Sequence, residues 1–287
     1  MLKREEWPAG VPCWVDTGQP DPKAAAEFYG GLFGWDYDER FAPGSDVPYR
    51  IAMLHGLEIG GIGPLPEAAP PTPVWNTYVR VDSAEDTAAK VREAGGSVIV
   101  EPFEVGPAGT MAVFADPTGG VISVWQPGET RGAELVNEAG TWNFSGLFTR
   151  NVERAIEFYR AVFGWEPSPF DADAGSYFWR RPGYGDFLVS IQPDTRERFD
   201  AVAAPEGFID AVAWVMPMDD SQFGPDTPPH WSVIFATDDA DATAARAAEL
   251  GGTVLAAPAD GPWVRTTTIQ DPQGAVFTAN KFVPPEG

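Results

Sequence analysis

Residues 27–37 read EFYGGLFGWDY and residues 157–166 read EFYRAVFGWE, the same motif written twice at an offset of 130 residues. Self-similarity on that scale means that the second half of the chain folds as the first half does. The match extends outward. Trp14-Val15-Asp16 leads to Asp21 and Phe28-Tyr29, as Phe144-Ser145-Gly146 leads to Asn151 and Phe158-Tyr159. Further on, VRVDSAEDTAAKVREAGGSVIVEP (79–102) matches FATDDADATAARAAELGGTVLAAP (235–258), and FADPTGGVISVWQP (114–127) matches IQDPQGAVFTANKF (269–282). There the offset has grown to about 155, which places an insertion near the Pro- and Asp-rich residues 194–229. The expected division is a first domain at 1–127, a linker at 128–140 and a second domain at 141–287. A chain of 287 residues is long enough for two domains that each bury a core.

Inside each half a smaller unit recurs: a strand, a helix, then three strands. Trp14–Asp16 forms the first strand, and Ala25, Phe28, Tyr29 and Leu32 share one stripe of a helix over 22–33. Gly34 suits the left-handed position after a helix, and Trp35 opens the next strand. Tyr49–Leu54 and Leu57–Ile62 flank His55-Gly56 as a hairpin. The unit then restarts with a strand at 74–81, a helix at 83–94 stopped by Gly95-Gly96, and strands at 98–100, 111–115 and 120–125. Four βαβββ units follow, an α+β architecture in which the sequence leaves open which units pair. The spacing of the Phe-Tyr–Phe-Gly-Trp motif is that of a buried stripe, so it serves packing and helix termination. Asp116-Pro117-Thr118-Gly119 and Asp271-Pro272-Gln273-Gly274 are turn chemistry.

A net charge of −23 excludes nucleic acid and anionic membrane as partners, because both need a basic face. The single Cys13 forms no internal disulfide, the N-terminus MLKREEWPAG lacks an apolar signal core, and no run reaches membrane-spanning length. A cytoplasmic location is expected. Trp is abundant at eleven residues, against two His, His55 and His230.

The succession D-x₆-FY-x₃-FGW followed by VD…AGG…ADP-x-G-x₅-W, present in both halves, resembles the vicinal oxygen chelate superfamily of glyoxalases, bleomycin-resistance proteins and extradiol dioxygenases. The nearest likeness is to two-domain actinobacterial glyoxalase-like proteins, often labelled hydroxylases, several of them in aromatic polyketide antibiotic pathways. The resemblance implies curved mixed sheets that form bowls, with helices on the outer face. It also implies, for metal-dependent members, a divalent ion held by His or Gln on the first strand, His on the fifth and Glu on the last. Those positions fall here on Trp14, Asn76 and Ser123 in the first half and on Phe144, Ser232 and Thr278 in the second. Neither set suits a divalent ion, so no catalytic metal and no cofactor are expected.

Aromatics in place of ligands turn a metal site into a stacking pocket. Residues two apart on a strand share a face, which groups Trp14 with Asp16, Asn76 with Tyr78 and Arg80, and Ser123 with Trp125. Such a bowl suits a flat polycyclic ligand. The second bowl is expected to show Phe144, Phe148, Ser232 and Thr278 and, from its hairpin, Tyr177, Trp179 and Arg181. The competing reading closes these aromatics off as core. Asp16 is either a general acid or base of raised pKa, or a strand-end Asp capping the 16–22 turn. His55 is either a second proton-transfer group or a hairpin-tip residue, and His230 either stands on the bowl face near the rim or, after Pro228-Pro229, marks the entrance of its strand. Tyr49, Tyr78 and Arg80 are candidates to hold a substrate oxygen. Three functions fit: acid/base chemistry (dehydration, cyclisation or isomerisation) on a polyketide-like aromatic, sequestration of an aromatic drug, or assistance to a separate oxygenase. The partner is a small aromatic molecule in each case, and oligomeric state, a homodimer included, stays open.

Overall fold

The computed structural model describes residues 3–41, 46–67, 71–171, 174–220 and 223–284. The expected domain ends at residues 1 and 287, and residues 221–222 of the expected insertion, lie outside the described residues. The first half runs β1 (Pro12–Gln19), α1 (Pro22–Phe33), β2 (Asp36–Arg40), β3 (Tyr49–Leu54) and β4 (Leu57–Pro64). It then repeats with β5 (Trp75–Arg80), α2 (Ala84–Glu93), β6 (Ser97–Glu104), β7 (Gly109–Ala115) and β8 (Val121–Pro127). The second half gives β9 (Trp142–Thr149), α3 (Val152–Phe163), β10 (Glu166–Asp171), β11 (Ser176–Arg180), α4 (Tyr184–Ile191), α5 (Thr195–Ala201) and β12 (Ala211–Pro217). It closes with β13 (His230–Ala236), α6 (Ala240–Glu249), β14 (Thr253–Gly261), β15 (Val264–Gln270) and β16 (Val276–Phe282).

Local chemistry sets the helix ends. The Asp21 carboxylate accepts from the backbone N–H groups of Lys23 and Ala24, Pro22 opens α1, and Gly34 ends it at a φ of 76°. Asn151 and Gly164, the latter at a φ of 71°, do the same for α3. The capping of α1 belongs to Asp21, and β1 continues to Gln19, so Asp16 lies inside a strand and caps nothing.

Two eight-stranded mixed sheets result, in the orders β2-β3-β4-β1-β5-β8-β7-β6 and β10-β11-β12-β9-β13-β16-β15-β14. Unit one therefore pairs with unit two and unit three with unit four, joined through antiparallel β1/β5 and β9/β13. The two sheets share one topology and differ in one connection. His55-Gly56 joins β3 to β4, whereas residues 181–210, carrying α4 and α5, join β11 to β12. The insertion thus begins earlier than residue 194 and has ended by β12. The expected linker is packed: Ala133 and Leu135 are fully buried, and Ala133 N–H donates to the Cys13 carbonyl at 2.8 Å.

Helices α1, α2, α3 and α6 lie on the face of each sheet turned away from its bowl, and the halves meet on that face. Phe33 of α1 packs on Phe235 and Phe277 of the second sheet. The repeated motif supplies the joint twice over. Tyr29 Oη donates to Asp271 Oδ2 and Tyr159 Oη donates to Asp116 Oδ2, each at 2.9 Å. Trp35 Nε1 donates to the Gly140 carbonyl and Trp165 Nε1 to the Gly10 carbonyl, each at 2.6 Å. The other oxygen of each Asp does the expected turn work, Asp116 Oδ1 accepting from Thr118 N at 2.6 Å and Asp271 Oδ1 from Gly274 N at 2.8 Å. Among the described residues no helix is long and apolar enough to cross a membrane.

Candidate functional site

The β1/β5 ladder sets Trp14 opposite Tyr78 and Asp16 opposite Asn76, and the β5/β8 ladder sets Tyr78 beside Ser123. Cross-strand partners share a face, so these five side chains converge on the concave side of the first sheet. Asp16, 9% exposed, is their hub. Its Oδ2 accepts from Tyr49 Oη and from Tyr78 Oη, each at 3.0 Å, and its Oδ1 accepts from Asn76 Nδ2 at 2.9 Å. Trp14 Nε1 donates to Tyr49 Oη at 3.1 Å, so the indole fixes the phenol that fixes the carboxylate.

Glycine makes room for this arrangement. Tyr49 crosses β4 over Gly61 and Gly63; a Cβ at Gly61 would collide with the phenol, and one at Gly63 would come within 2.9 Å of Tyr49 Cδ2. Burial pushes the Asp16 carboxyl above the usual carboxylate range, and the hydrogen bonds from Asn76, Tyr49 and Tyr78 pull it partly back. Burial, reinforced by the Asp16 charge, holds both phenols well above the ordinary tyrosine value, so both remain donors. A carboxylate offers about four acceptor positions. Three are filled, two on Oδ2 and one on Oδ1, which leaves one on Oδ1 beside the half-buried Asn76.

The other candidates in this half lie elsewhere. His55 is exposed at the hairpin tip with a φ of 55°. It follows the far end of β3 from Tyr49, roughly 17 Å along the strand, so it does not join Asp16. Arg80 and Trp125 pair with each other one step further along the face. Trp125 Nε1 is bound to the Thr130 carbonyl at 2.8 Å and its ring covers Gly109, while Arg80 pairs with Asp82 beside a separate cavity of about 310 Å³.

The second bowl keeps the topology and changes the contents. Gly146 occupies the place of Asp16, opposite Ser232 on β13 and Trp214 on β12. The Trp214 indole lies across Gly146, where a Cβ would collide with it. Phe144 and Phe178 pack against Trp214 at ring-centroid distances of 5.7 and 6.5 Å. Phe144 and Thr278, both cross-strand partners of Ile234, share this face with Ser232. Tyr177 and Trp179 do not, which corrects the expectation. They lie on the opposite face of β11 from Phe178, and Trp179 is fully buried in the helix-side core at 5.3 Å from Trp165. Arg181 lies past the end of β11 and donates from Nε to the Ala9 carbonyl at 3.2 Å.

Neither bowl fits a divalent ion. In the first, two phenols and an amide direct protons at the single carboxylate, and an indole donates to one of those phenols; in the second, Phe144 and Trp214 meet two neutral hydroxyls. Among the described residues no three His, Cys, Asp or Glu side chains converge. Sequence reasoning missed Gly61, Gly63 and Trp214. The Gly60-Gly61 pair inside an apolar strand signalled a close approach, whereas Trp214 falls within the stretch assigned to the insertion.

A family model described as Glyoxalase/Bleomycin resistance protein/Dioxygenase superfamily matches residues 15–124, and one described as Glyoxalase-like domain matches residues 147–280. CFP32 of Mycobacterium tuberculosis, which carries a glyoxylase name, is 39% identical over 99% of this chain and 99% of its own. The anthracycline biosynthesis protein DnrV of Streptomyces peucetius is 34% identical over 94% of this chain and 92% of its own. Among solved structures, the Mn(II)-bound glyoxalase from Novosphingobium aromaticivorans superposes with a TM-score of 0.60 at 16% identity, covering 95% of this chain and 82% of that one. The 2,3-dioxygenase LapB from Pseudomonas sp. KL28 gives 0.58 at 12% identity, covering 97% and 95%. Likeness at those identities is likeness of fold.

Proposed function

The chain belongs to the glyoxalase, bleomycin-resistance and dioxygenase superfamily, and from that premise we propose that its first bowl performs metal-independent acid/base chemistry on a flat, polyketide-type aromatic, with Asp16 as the proton-transferring group. The observation that carries the reading is the vacant acceptor position on Asp16 Oδ1, next to a carboxyl whose pKa burial has raised. A carboxylate disfavoured by burial is a stronger base than one in water, and a raised pKa brings it closer to the working pH of a general base.

In this mechanism Oδ1 takes a proton from a substrate C–H or O–H adjacent to a carbonyl. Tyr78 and Tyr49 hold Oδ2 fixed, so the carboxyl does not rotate as its charge is lost. The electron pair released by the substrate moves onto the carbonyl oxygen, and Asn76, the half-buried amide beside Oδ1, is the donor assigned to it. Return of the proton from Oδ1 to another substrate atom completes an isomerisation, a cyclisation or, with loss of water, a dehydration. The name of the 34%-identical DnrV supports a polycyclic aromatic as the substrate class.

Asp16→Asn keeps the shape and removes the base. Turnover of a candidate aromatic substrate is expected to fall at least about a hundredfold, the usual scale for general acid/base catalysis, while ligand affinity stays within about threefold. Unchanged turnover, or affinity and turnover falling together, would overturn the assignment; a wild type that binds the aromatic and never transforms it would favour sequestration.

A further inference from the structure

We propose that the second bowl is a separate, non-catalytic binding site for a flat aromatic carrying a phenolic or enolic hydroxyl, stacked at its rim beside Phe148 and hydrogen-bonded to His230. This goes beyond the acid/base reading of the first bowl and stands without it.

Three half-buried rings meet at that rim. Phe148 on β9 and His230 on β13 are cross-strand partners, stacked at 5.4 Å between centroids with 29° between planes. Phe223, from the segment leading into β13, closes the third side at 5.2 Å from Phe148 and 5.7 Å from His230. Each ring has solvent-accessible surface, and Trp214 and Phe144 continue the aromatic surface inward. Rings of this kind offer a planar ligand area at little entropic cost.

The imidazole adds direction. His230 Nδ1 lies 2.9 Å from the Pro228 carbonyl. A carbonyl only accepts, so Nδ1 carries the proton and Nε2 is the acceptor of the neutral ring. A ligand hydroxyl satisfies that acceptor; an unsubstituted hydrocarbon or quinone does not. Among the described residues, the equivalent rim of the first bowl has no such rings. There Gly18 stands at the place of Phe148, and Leu65 and Pro66 lie against it.

Calorimetric titration of the full chain with 2,6-dihydroxyanthraquinone and with anthraquinone tests this. In His230→Phe, which keeps a ring and removes the acceptor, the hydroxylated probe is expected to bind at least about tenfold more weakly at one site, the scale of one well-placed hydrogen bond. Affinity for anthraquinone should stay within about twofold. Phe223→Ala should weaken both probes, and Asp16→Asn should leave this site unchanged. The proposal is overturned if His230→Phe leaves the hydroxylated probe unaffected, if it weakens both probes equally, or if the wild type binds neither. Thermal melting of each variant separates loss of the site from loss of the fold.

Discussion

The two bowls share a topology and exchange one feature, the glycine over which a large ring lies. In the first, the cross-strand pair is Asp16 with Gly61, and the Tyr49 ring crosses the glycine to reach the carboxylate. In the second, the pair is Gly146 with Trp214, and the indole covers the place a carboxylate would occupy. A concave sheet has a fixed volume above its floor, so one strand must go small where its neighbour goes large. The side on which the glycine falls decides whether the floor is a polar hub or an aromatic plate. A repeated scaffold thus carries two different bowl floors through residue differences at paired positions.

Breaking the exchange in the first bowl should have the largest effect. Gly61→Ala drives Tyr49 off Asp16, and turnover is expected to fall about a hundredfold in steady-state assays, near the loss from Asp16→Asn. If Gly61→Ala keeps full turnover, the Tyr49 contact is not part of the mechanism. Gly146→Ala is the matched change in the second bowl. It should cost about 1–3 kcal/mol in urea denaturation through overpacking against Trp214, with turnover intact.

The joint between the halves offers a finer contrast. Tyr159 is the side-chain donor to Asp116 Oδ2, whereas Asp271 Oδ2 also receives Gln19 Nε2 at 2.8 Å. Tyr159→Phe should therefore destabilise by about 1–3 kcal/mol, and Tyr29→Phe by less. Equal losses would mean that the Gln19 contact adds nothing.

The Asp16 hub makes a signed prediction of pH dependence. The folded-state pKa lies above the ordinary 3.8, so the folded protein binds that proton more tightly than the unfolded chain. Its contribution to stability is complete below 3.8 and is lost as pH rises through the folded value. Wild-type stability relative to Asp16→Asn should fall across that window and then level; a difference that grows with pH contradicts the burial of the carboxyl. The smallest effect belongs to His55→Gly. Since His55 already adopts a positive φ at an exposed turn, stability should shift by no more than about 0.5 kcal/mol and turnover should not change.

Much of this was legible before any coordinates. The 22–33 helix, its Gly34 stop and the 49–54 and 57–62 hairpin depend on local periodicity and turn residues, and they appear as expected. Period-two alternation with the positions of the family's first, fifth and last strands grouped Trp14 with Asp16 and Asn76 with Tyr78 on their own strands, and the pairing of unit one with unit two brought those groups and Ser123 together. Tyr177 and Trp179 were misplaced because alternation says which residues share a face and not which face turns to the bowl. That choice for β11 is set by its pairing with β12, on the far side of the insertion. His55 was a candidate by chemistry alone, and strand length removed it.

By itself, then, the sequence determined the duplication, the α+β units, the helix ends and the absence of a metal-ligand set at the family's positions, because each depends on residue identity or short-range spacing. Only the tertiary structure decided that each sheet is built from consecutive units, that the Tyr of one half holds the Asp of the other, and that Asp16 keeps one acceptor position open while Gly146 lies under a tryptophan. Those are contacts between residues tens to hundreds of positions apart, and no local pattern encodes which of two remote partners fills a given volume.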